Sequence, residues 1–266
     1  MIRIANLAKA FTVPGGSRRL GLKRAAPRTV NAARDVNLLA PDGHITGLLG
    51  PNGAGKTTTL RILAGLIPAD GGTLHVDTLD VRTRPREALA RMGVLSDARG
   101  LYPRLTAREN IAYYGRLQGM ERDAAEARAE VLADMLDLRA QLDRRTEGFS
   151  QGERMKTALA RALVHDPAHI VLDEPTNGLD VVATRALRES LRWLRTPAGG
   201  AKCIVFSTHI MREVERLCDS VVVVAHGRTV ASGTVAELLA QTGQSDFEEA
   251  FVQLAFGEDP ARRSPA

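Results

Sequence analysis

The sequence has few cysteines, few lysines and no long apolar run. Its two cysteines, Cys203 and Cys218, are too few for a disulfide framework and lack the spacing of metal ligands. The longest aliphatic stretch toward the C-terminal end, 221–225, is far shorter than the roughly 20 apolar residues that cross a bilayer. Residues 1–11 alternate in polarity and lack the apolar core of a signal peptide. We therefore expect a cytosolic chain with reduced thiols.

Lysine occurs only five times, and arginine supplies most of the positive charge. The 36 basic and 31 acidic residues give a net charge of +5. Segment 17–28 holds five basic residues and no acidic one, so the rest of the chain is neutral. This distribution argues against nucleic acid as a partner. The segment is typical of a solvated loop; contact with anionic lipid heads or with a membrane protein is the alternative.

Alternating strand and helix patterns predict an α/β fold with a mainly parallel sheet. Short apolar runs bounded by turn residues indicate the strands, and apolar residues at helical spacing indicate the helices. The predicted strands are 1–13, 44–49, 73–76, 169–172, 203–207 and 220–225. The predicted helices are 56–66, 151–165, 181–195, 210–217 and one from about Val235.

Residues 98–150 differ from their flanks because they are helical throughout. Thr106-Ala-Arg-Glu109 is a capping box that opens one helix, and the Ala-, Glu- and Leu-rich segment 122–138 predicts a second. We interpret this block as an inserted subdomain. The predicted division is a cassette 1–240 (core 1–97 and 154–240, helical subdomain 98–153, basic loop 14–29) and a C-terminal helix with a disordered tail, 241–266.

Residues 50–57 fit the phosphate-binding pattern G-x-x-x-x-G-K-[ST]. Its glycines permit a tight turn in which successive N–H groups face phosphate oxygens, and the helix that begins near Lys56 adds its positive end. We expect Lys56 to reach the β- and γ-phosphates of ATP and the Thr57 hydroxyl to coordinate Mg²⁺. The expected nucleotide contacts are Gly50, Pro51, Asn52, Gly53, Ala54, Gly55, Lys56, Thr57 and Thr58.

Two carboxylates, Asp173 and Glu174, end the apolar run that starts at His169. A carboxylate at a strand end beside a phosphate loop can hold Mg²⁺, and its neighbour can orient or deprotonate the attacking water. Taken alone, such a run is more often a strand that ends in solvent. The sequel Pro-Thr-Asn-Gly-Leu-Asp180 argues against chance.

The order of these motifs resembles that of the ATP-binding cassette (ABC) ATPases over about residues 1–240. Phe149-Ser-Gln-Gly-Glu153 stands where this family has its L-S-G-G-Q signature, Gly178-Leu-Asp180 resembles its D-loop, and His209 resembles its switch histidine. Phe11 falls where the family stacks an aromatic ring on adenine. The resemblance implies nucleotide contacts from Phe11, Ser150, Gln151, Gly152, Glu153 and Asp180, and catalytic roles for Lys56, Glu174 and His209.

The same resemblance implies a P-loop NTPase core of RecA-like type, with an N-terminal antiparallel β lobe and an inserted helical subdomain. Two positions depart from the family pattern. Asp97 stands where a glutamine is usual, and the signature carries Gln151 for glycine and Glu153 for glutamine. Glu153 beside a triphosphate is costly unless it points away or pairs with a base such as Arg154. The expected Mg²⁺ ligands are Thr57, Asp173 and Asp97.

The family resemblance also implies partners. Two copies of the chain close head to tail over two ATP molecules, and the motion passes to a separate membrane permease that docks near Asp97 and the helical subdomain. The departures, the run from Gly100 and the segment 247–254 are similar to the branch that powers small exporters, including sodium-efflux systems. We therefore expect an ATPase on the inner face of the cell membrane that drives export of Na⁺, a drug or another small molecule.

Three alternatives stay open. Soluble cassette ATPases of ribosomes usually carry two cassettes, whereas this chain has room for one. DNA-repair ATPases need long heptad segments between their nucleotide motifs, and about 120 residues separate Gly50 from Asp173 here, with no sustained heptads. The sequence decides poorly between import and export.

Overall fold

The computed structural model describes residues 1–13, 28–96 and 100–257. These residues form one sheet flanked by helices. The strands are β1 (Ile2–Val13), β2 (Arg28–Ala40), β3 (Ile45–Leu49), β4 (Gly71–Val76), β5 (Leu79–Asp80), β6 (Met92–Leu95), β7 (His169–Asp173), β8 (Cys203–Thr208), β9 (Ser220–Ala225) and β10 (Arg228–Gly233). The helices are α1 (Lys56–Leu63), α2 (Pro85–Leu89), α3 (Ala107–Leu117), α4 (Arg122–Met135), α5 (Gln151–Leu163), α6 (Val181–Leu194), α7 (Met211–Leu217), α8 (Val235–Thr242) and α9 (Phe247–Phe256).

The sheet has a parallel part and an antiparallel part, in the order β5-β4-β1-β2-β10-β9-β3-β8-β7-β6. Strands β9, β3, β8, β7 and β6 pair in parallel, whereas β5, β4, β1 and β2 pair antiparallel. One residue pair, Arg228 with Asp35, joins β10 to β2. The predicted fold class, a mainly parallel α/β core with an N-terminal antiparallel lobe, is confirmed.

The central parallel strands are buried because helices cover both faces of the sheet. Every residue of β3 and β8 is buried, as are the first four residues of β7. This explains their near-continuous apolar sequences, which are typical of parallel strands with two covered faces. Because β3, β8 and β7 are parallel neighbours, their carboxyl ends lie at the same edge of the sheet, where their polar residues lie together.

Four strands, β2, β5, β6 and β10, are absent from the predicted set, and the helix predicted from about Val235 is two helices. Strand β2 begins at Arg28, inside the predicted loop, and β10 pairs antiparallel with β9. Gly243, with φ of 69°, ends α8, and the Asp246 side chain caps α9. The rest of the predicted basic loop and the predicted tail from residue 258 lie outside the described residues.

The predicted helical block contains α3 and α4, and the capping box at Thr106 and Glu109 is confirmed. Helix α5 begins at Gln151, before the predicted boundary at 154, and packs against both α3 and β6. Its first turn carries the signature, and the same helix reaches the core. Across residues 1–13, 28–96 and 100–257, no helix combines the length and the apolarity needed to cross a membrane.

An ion-pair cluster lies where β4 ends and where β6 and β7 begin. Asp77 accepts hydrogen bonds at 2.8 Å from the Met1 amine and from Arg91, and its Oδ1 lies 3.0 Å from Nε2 of the buried His169. Burial alone would raise the pKa of Asp77, but the hydrogen bonds from the amine and Arg91, together with the nearby His169 ring, outweigh it and hold this pKa well below its ordinary value. The ionised Asp77 therefore stabilises the fold.

Asp77→Asn should lower the free energy of unfolding at pH 7 by about 1–2 kcal/mol, a range that allows for partial solvent screening. Because the pKa of Asp77 is lower in the folded chain, its stabilising effect is complete above the unfolded value of about 3.9 and is lost as pH falls below it. We expect denaturant unfolding at pH 7, 5 and 3 to show that the difference in unfolding free energy between wild type and variant is smaller at pH 3 than at pH 7. An equal difference at all three pH values would contradict this role of Asp77. Glu215→Gln, at an exposed position, is the control variant.

Candidate nucleotide-binding site

The phosphate loop follows β3 and leads into α1, as the sequence predicts. A Cβ on Gly50 would lie 2.2 Å from the Val224 carbonyl oxygen, and one on Gly55 would lie 2.2 Å from the Ala32 oxygen. Gly55 also has φ of 104°, a left-handed conformation that glycine adopts without strain. Both glycines are therefore required by close backbone approach, which holds the loop against β9 and β2.

Lys56 places a charged side chain in the interior, and the residue is only 4% exposed. Its ammonium donates hydrogen bonds to the Gly50 oxygen at 2.7 Å and the Pro51 oxygen at 3.2 Å, and it lies 3.5 Å from Glu174 Oε1. Burial lowers the pKa of Lys56, while Glu174 and Asp173 oppose that shift. The ammonium thus closes the loop on itself and faces the carboxylates that end β7.

Asp173 ends β7 beside two hydroxyl groups. Its Oδ1 accepts hydrogen bonds from Ser207 Oγ at 2.6 Å and from Thr57 Oγ1 at 3.2 Å. Two of the expected Mg²⁺ ligands, Thr57 and Asp173, therefore lie together. Their oxygens are hard donors of the type that Mg²⁺ prefers. The third expected ligand, Asp97, lies outside the described residues.

Glu174 brings the three expected catalytic residues together. Its Oε1 lies 3.2 Å from His209 Nδ1 and 3.5 Å from the Lys56 ammonium. Its backbone has φ of 47°, a conformation that costs a non-glycine residue about 1–3 kcal/mol. Hydrogen bonds from the Glu174 N–H to the Ser207 oxygen at 3.2 Å and to Ser207 Oγ at 3.0 Å hold this turn.

The signature residues begin α5 and cap it. Ser150 Oγ accepts a hydrogen bond from the Glu153 N–H at 3.2 Å, and Glu153 Oε2 accepts one from the Ser150 N–H at 2.7 Å. The hydrogen bond from the Ser150 backbone lowers the pKa of Glu153, and Arg144, 3.6 Å away, acts in the same direction. Glu153 is therefore satisfied within its own helix turn, and the basic residue beside it is Arg144; the sequence analysis expected it to point away from the phosphates or to pair with a base such as Arg154.

The remaining signature and D-loop residues contact each other. Gln151 Nε2 donates to the Asn177 oxygen at 3.0 Å, and a Cβ on Gly178 would lie 2.2 Å from the same amide nitrogen. Asp180 is the N-cap of α6, where its Oδ1 accepts a hydrogen bond from the Ala183 N–H at 2.8 Å. The loop after Glu174 is thus tied to the start of α5.

Phe11 lies on β1 near the back of the phosphate loop. It pairs with Val30 on β2, two residues from Ala32, whose oxygen approaches Gly55. Its ring is 37% exposed, and Lys9 Nζ lies 5.4 Å from the ring centroid. An aromatic face on this side of the loop is available for stacking rather than buried in the core.

A cleft of about 850 Å³ lies between the sheet edge and the helical block. Thr57, Asp173 and Glu174 line one side, and Gln151 and Arg154 line the other. The site is therefore open where it adjoins the helical block, on the side that carries the signature.

Sequence reasoning missed two contributors to the site. The spacing Ser150-x-x-Glu153 is itself a capping box, so the role of Glu153 was readable from the sequence. Ser207 left a weaker signal, since it precedes His209 by only two residues at the end of β8. Only its pairing opposite Asp173 shows what the hydroxyl contacts.

Comparison with known proteins agrees with this geometry. A family described as "ABC transporter" matches residues 33–177. The chain belongs to the ABC transporter family. A relative from Bacillus subtilis, "ABC transporter ATP-binding protein NatA", is 42% identical over 243 residues, which cover 91% of this chain and 96% of that protein. As a member of this family, the chain is an ATP-binding subunit with ATPase activity.

Further relatives and structures extend the comparison. "Nod factor export ATP-binding protein I" of Burkholderia lata is 42% identical over 82% of this chain and 69% of its own length. A solved ATP-binding subunit of an ABC transporter is 27% identical with a TM-score of 0.78, over 95% of this chain and 98% of that one. A dimeric cassette bound to ADP and Pi is 23% identical with a TM-score of 0.74, over 88% of this chain and 98% of that one, and shares the fold.

The capping box at Ser150 gives a test of the role of Glu153. Glu153→Ala removes the acceptor of the Ser150 N–H and should lower the free energy of unfolding by about 1 kcal/mol. Glu153→Gln keeps an acceptor oxygen at the same position and should change it by only a few tenths. Thermal or denaturant unfolding of both variants is the measurement. Equal destabilisation by Ala and Gln would contradict the capping role.

Proposed function

We propose that this ABC ATPase subunit works as a head-to-tail dimer, in which Lys56, Glu174 and His209 act on ATP, and that it drives export through a separate permease. The observation that carries the proposal is the convergence of these three side chains beside the phosphate loop. Groups from α1, β7 and the end of β8 meet within 3.5 Å at one carboxylate. If the ion pair between Lys56 and Glu174 only stabilised the fold, it would not need a glycine-rich loop around it.

ATP binding would use the loop as a phosphate cradle. The N–H groups of 50–58 and the positive end of α1 attract phosphate oxygens. The Lys56 ammonium, now bound to the Gly50 and Pro51 carbonyls, would turn to the β- and γ-phosphates. The exposed ring of Phe11 would stack on adenine, and its neighbour Lys9 would add positive charge nearby.

The Thr57–Asp173 oxygens suit Mg²⁺, and Asp97 would be the further ligand that the family resemblance implies. Mg²⁺ bound there would neutralise charge on the β- and γ-phosphates. Glu174 would orient the attacking water toward the γ-phosphorus and accept its proton. His209 would donate a hydrogen bond to a γ-phosphate oxygen, and Lys56 would offset the charge that develops there. Both contacts require their present bonds with Glu174 to loosen.

Dimerisation would complete each site. The first turn of α5, Ser150 to Glu153, would aim its N–H groups at the ATP held by the partner copy. The start of α6 supports an interface here, since Val181 and Val182 beside Asp180 are 82% and 78% exposed. The fold is shared with solved cassettes that are dimeric.

A permease at the inner face of the membrane would receive the motion. Tyr102, Tyr113 and Leu117 form an exposed apolar surface on the helical block, with the two tyrosine rings 5.5 Å apart. This surface follows residues 97–99 along the chain and suits an apolar segment of the permease. The relatives named for Nod factor export support export over import. The proposed exported substrate is Na⁺ or a small organic molecule.

Glu174→Gln should keep ATP affinity within a few-fold of wild type and lower the rate of hydrolysis by at least about 100-fold, because an amide cannot accept the proton of the water. It should also trap an ATP-bound dimer. Nucleotide titration, phosphate release and size-exclusion chromatography with ATP are the measurements. Unimpaired hydrolysis would overturn the proposed role of Glu174.

Lys56→Ala is the matched control for that experiment. It should lose ATP binding itself, since the loop carbonyls and phosphates would face each other without the ammonium. Tight ATP binding by this variant would contradict the phosphate-loop assignment.

The export role is tested against the ribosomal alternative by inspecting the neighbouring genes for a polytopic membrane protein and by purifying the chain together with such a protein. We expect ATP hydrolysis to rise when that permease is present in vesicles. Stimulation by ribosomes, with no effect of the permease, would favour a soluble cassette ATPase instead.

A further inference from the structure

We propose that Ser207 is a positioning residue for hydrolysis: its single hydroxyl holds both Asp173 and Glu174 in the geometry that the reaction needs. The inference rests on the proposed roles of these two acids. Ser207 lies outside every motif that the sequence analysis assigned, and it contacts neither the phosphate loop nor the signature in the hydrogen bonds of the described residues.

The contacts of Ser207 are short and buried. Its Oγ donates to Asp173 Oδ1 at 2.6 Å and accepts from the Glu174 N–H at 3.0 Å. The Ser207 carbonyl oxygen accepts from the same N–H at 3.2 Å. The residue is fully buried, and its Cα is the registered partner of Asp173 across the parallel strands β8 and β7.

A hydroxyl is the group that these two contacts require. It carries one donor and two acceptor lone pairs, so it can donate to the carboxylate while it accepts from the main chain. An alanine would leave Asp173 Oδ1 with the Thr57 hydroxyl as its donor, at the longer distance of 3.2 Å. It would also leave the strained φ of 47° at Glu174 held by one hydrogen bond in place of two.

Ser207 and His209 together make the end of β8 a support for both acids. His209 follows the last residue of β8, and its Nδ1 lies 3.2 Å from Glu174 Oε1. Between them, Thr208 Oγ1 accepts from the Ile210 N–H and thereby turns the chain after β8. Ser207 thus binds the backbone of Glu174, and His209 contacts its carboxylate, so both help to position this side chain.

Ser207→Ala tests the inference because it adds no atoms to the core. We expect the kcat of ATP hydrolysis to fall about 10- to 100-fold, as for the loss of a hydrogen bond to a charged group. Affinity for a fluorescent, non-hydrolysable ATP analogue should be unchanged without Mg²⁺. The Mg²⁺ concentration that gives half of the maximal gain in affinity should rise several-fold, because Asp173 loses its shortest hydrogen bond. Ser207→Thr, which keeps the hydroxyl, should restore both values toward wild type.

Thr46→Val is the matched control, since Thr46 is a buried hydroxyl residue on the neighbouring strand β3, 3.3 Å from Ser220 Oγ. It should change neither kcat nor the Mg²⁺ dependence. The inference is overturned if Ser207→Ala has wild-type kcat and Mg²⁺ dependence, or if Thr46→Val shows the same losses. If circular dichroism shows that Ser207→Thr is misfolded, the comparison of kcat and Mg²⁺ dependence between Ser207→Ala and Thr46→Val is sufficient to test the inference. A normal Ser207→Ala beside an inactive Glu174→Gln would refute this inference only, whereas an active Glu174→Gln would refute the proposed function.

Discussion

The site depends on a buried ammonium. Lys56 is 4% exposed, and a charge at that depth is tolerable only when its partners surround it. The Gly50 and Pro51 carbonyls and the Glu174 carboxylate supply them. The loop after β3 and the end of β7 are thereby linked through one side chain, and His209 extends the link to the end of β8. A phosphate group would replace these partners with a stronger one, since it brings negative charge to a site already built to compensate a cation.

Parallel pairing is what makes this arrangement possible. Strands β3, β8 and β7 are neighbours in the sheet, and all of them end at the same edge. A loop, two acids and a histidine that lie far apart along the chain therefore meet within hydrogen-bonding distance. Glycines at 50 and 55 let the backbone of the loop approach β9 and β2 closely enough to fit between them.

The unusual signature has a local explanation. Glu153 stands where glutamine is usual in the family, but its carboxylate accepts the Ser150 N–H, so its charge is used to begin α5. Gln151 replaces a glycine, and its longer side chain reaches the Asn177 carbonyl in the loop after Glu174. In this chain the start of α5 and the loop after Glu174 therefore share a hydrogen bond that a glycine could not make.

The sequence by itself determined the α/β class, the phosphate loop, the acid pair and the capping box at Thr106 and Glu109, because each depends on residues within a few positions of one another. It missed β10, the break between α8 and α9, and Ser207. Strand β10 pairs with β9 across the two-residue turn His226-Gly227, so this pairing is local, but the half-exposed sequence of β10 lacks the apolar run by which the other strands were found. Only the tertiary structure decided that Ser207 lies opposite Asp173 and that Lys56 and His209 meet at Glu174. Register between strands is set by packing across the whole sheet, and no local pattern encodes it.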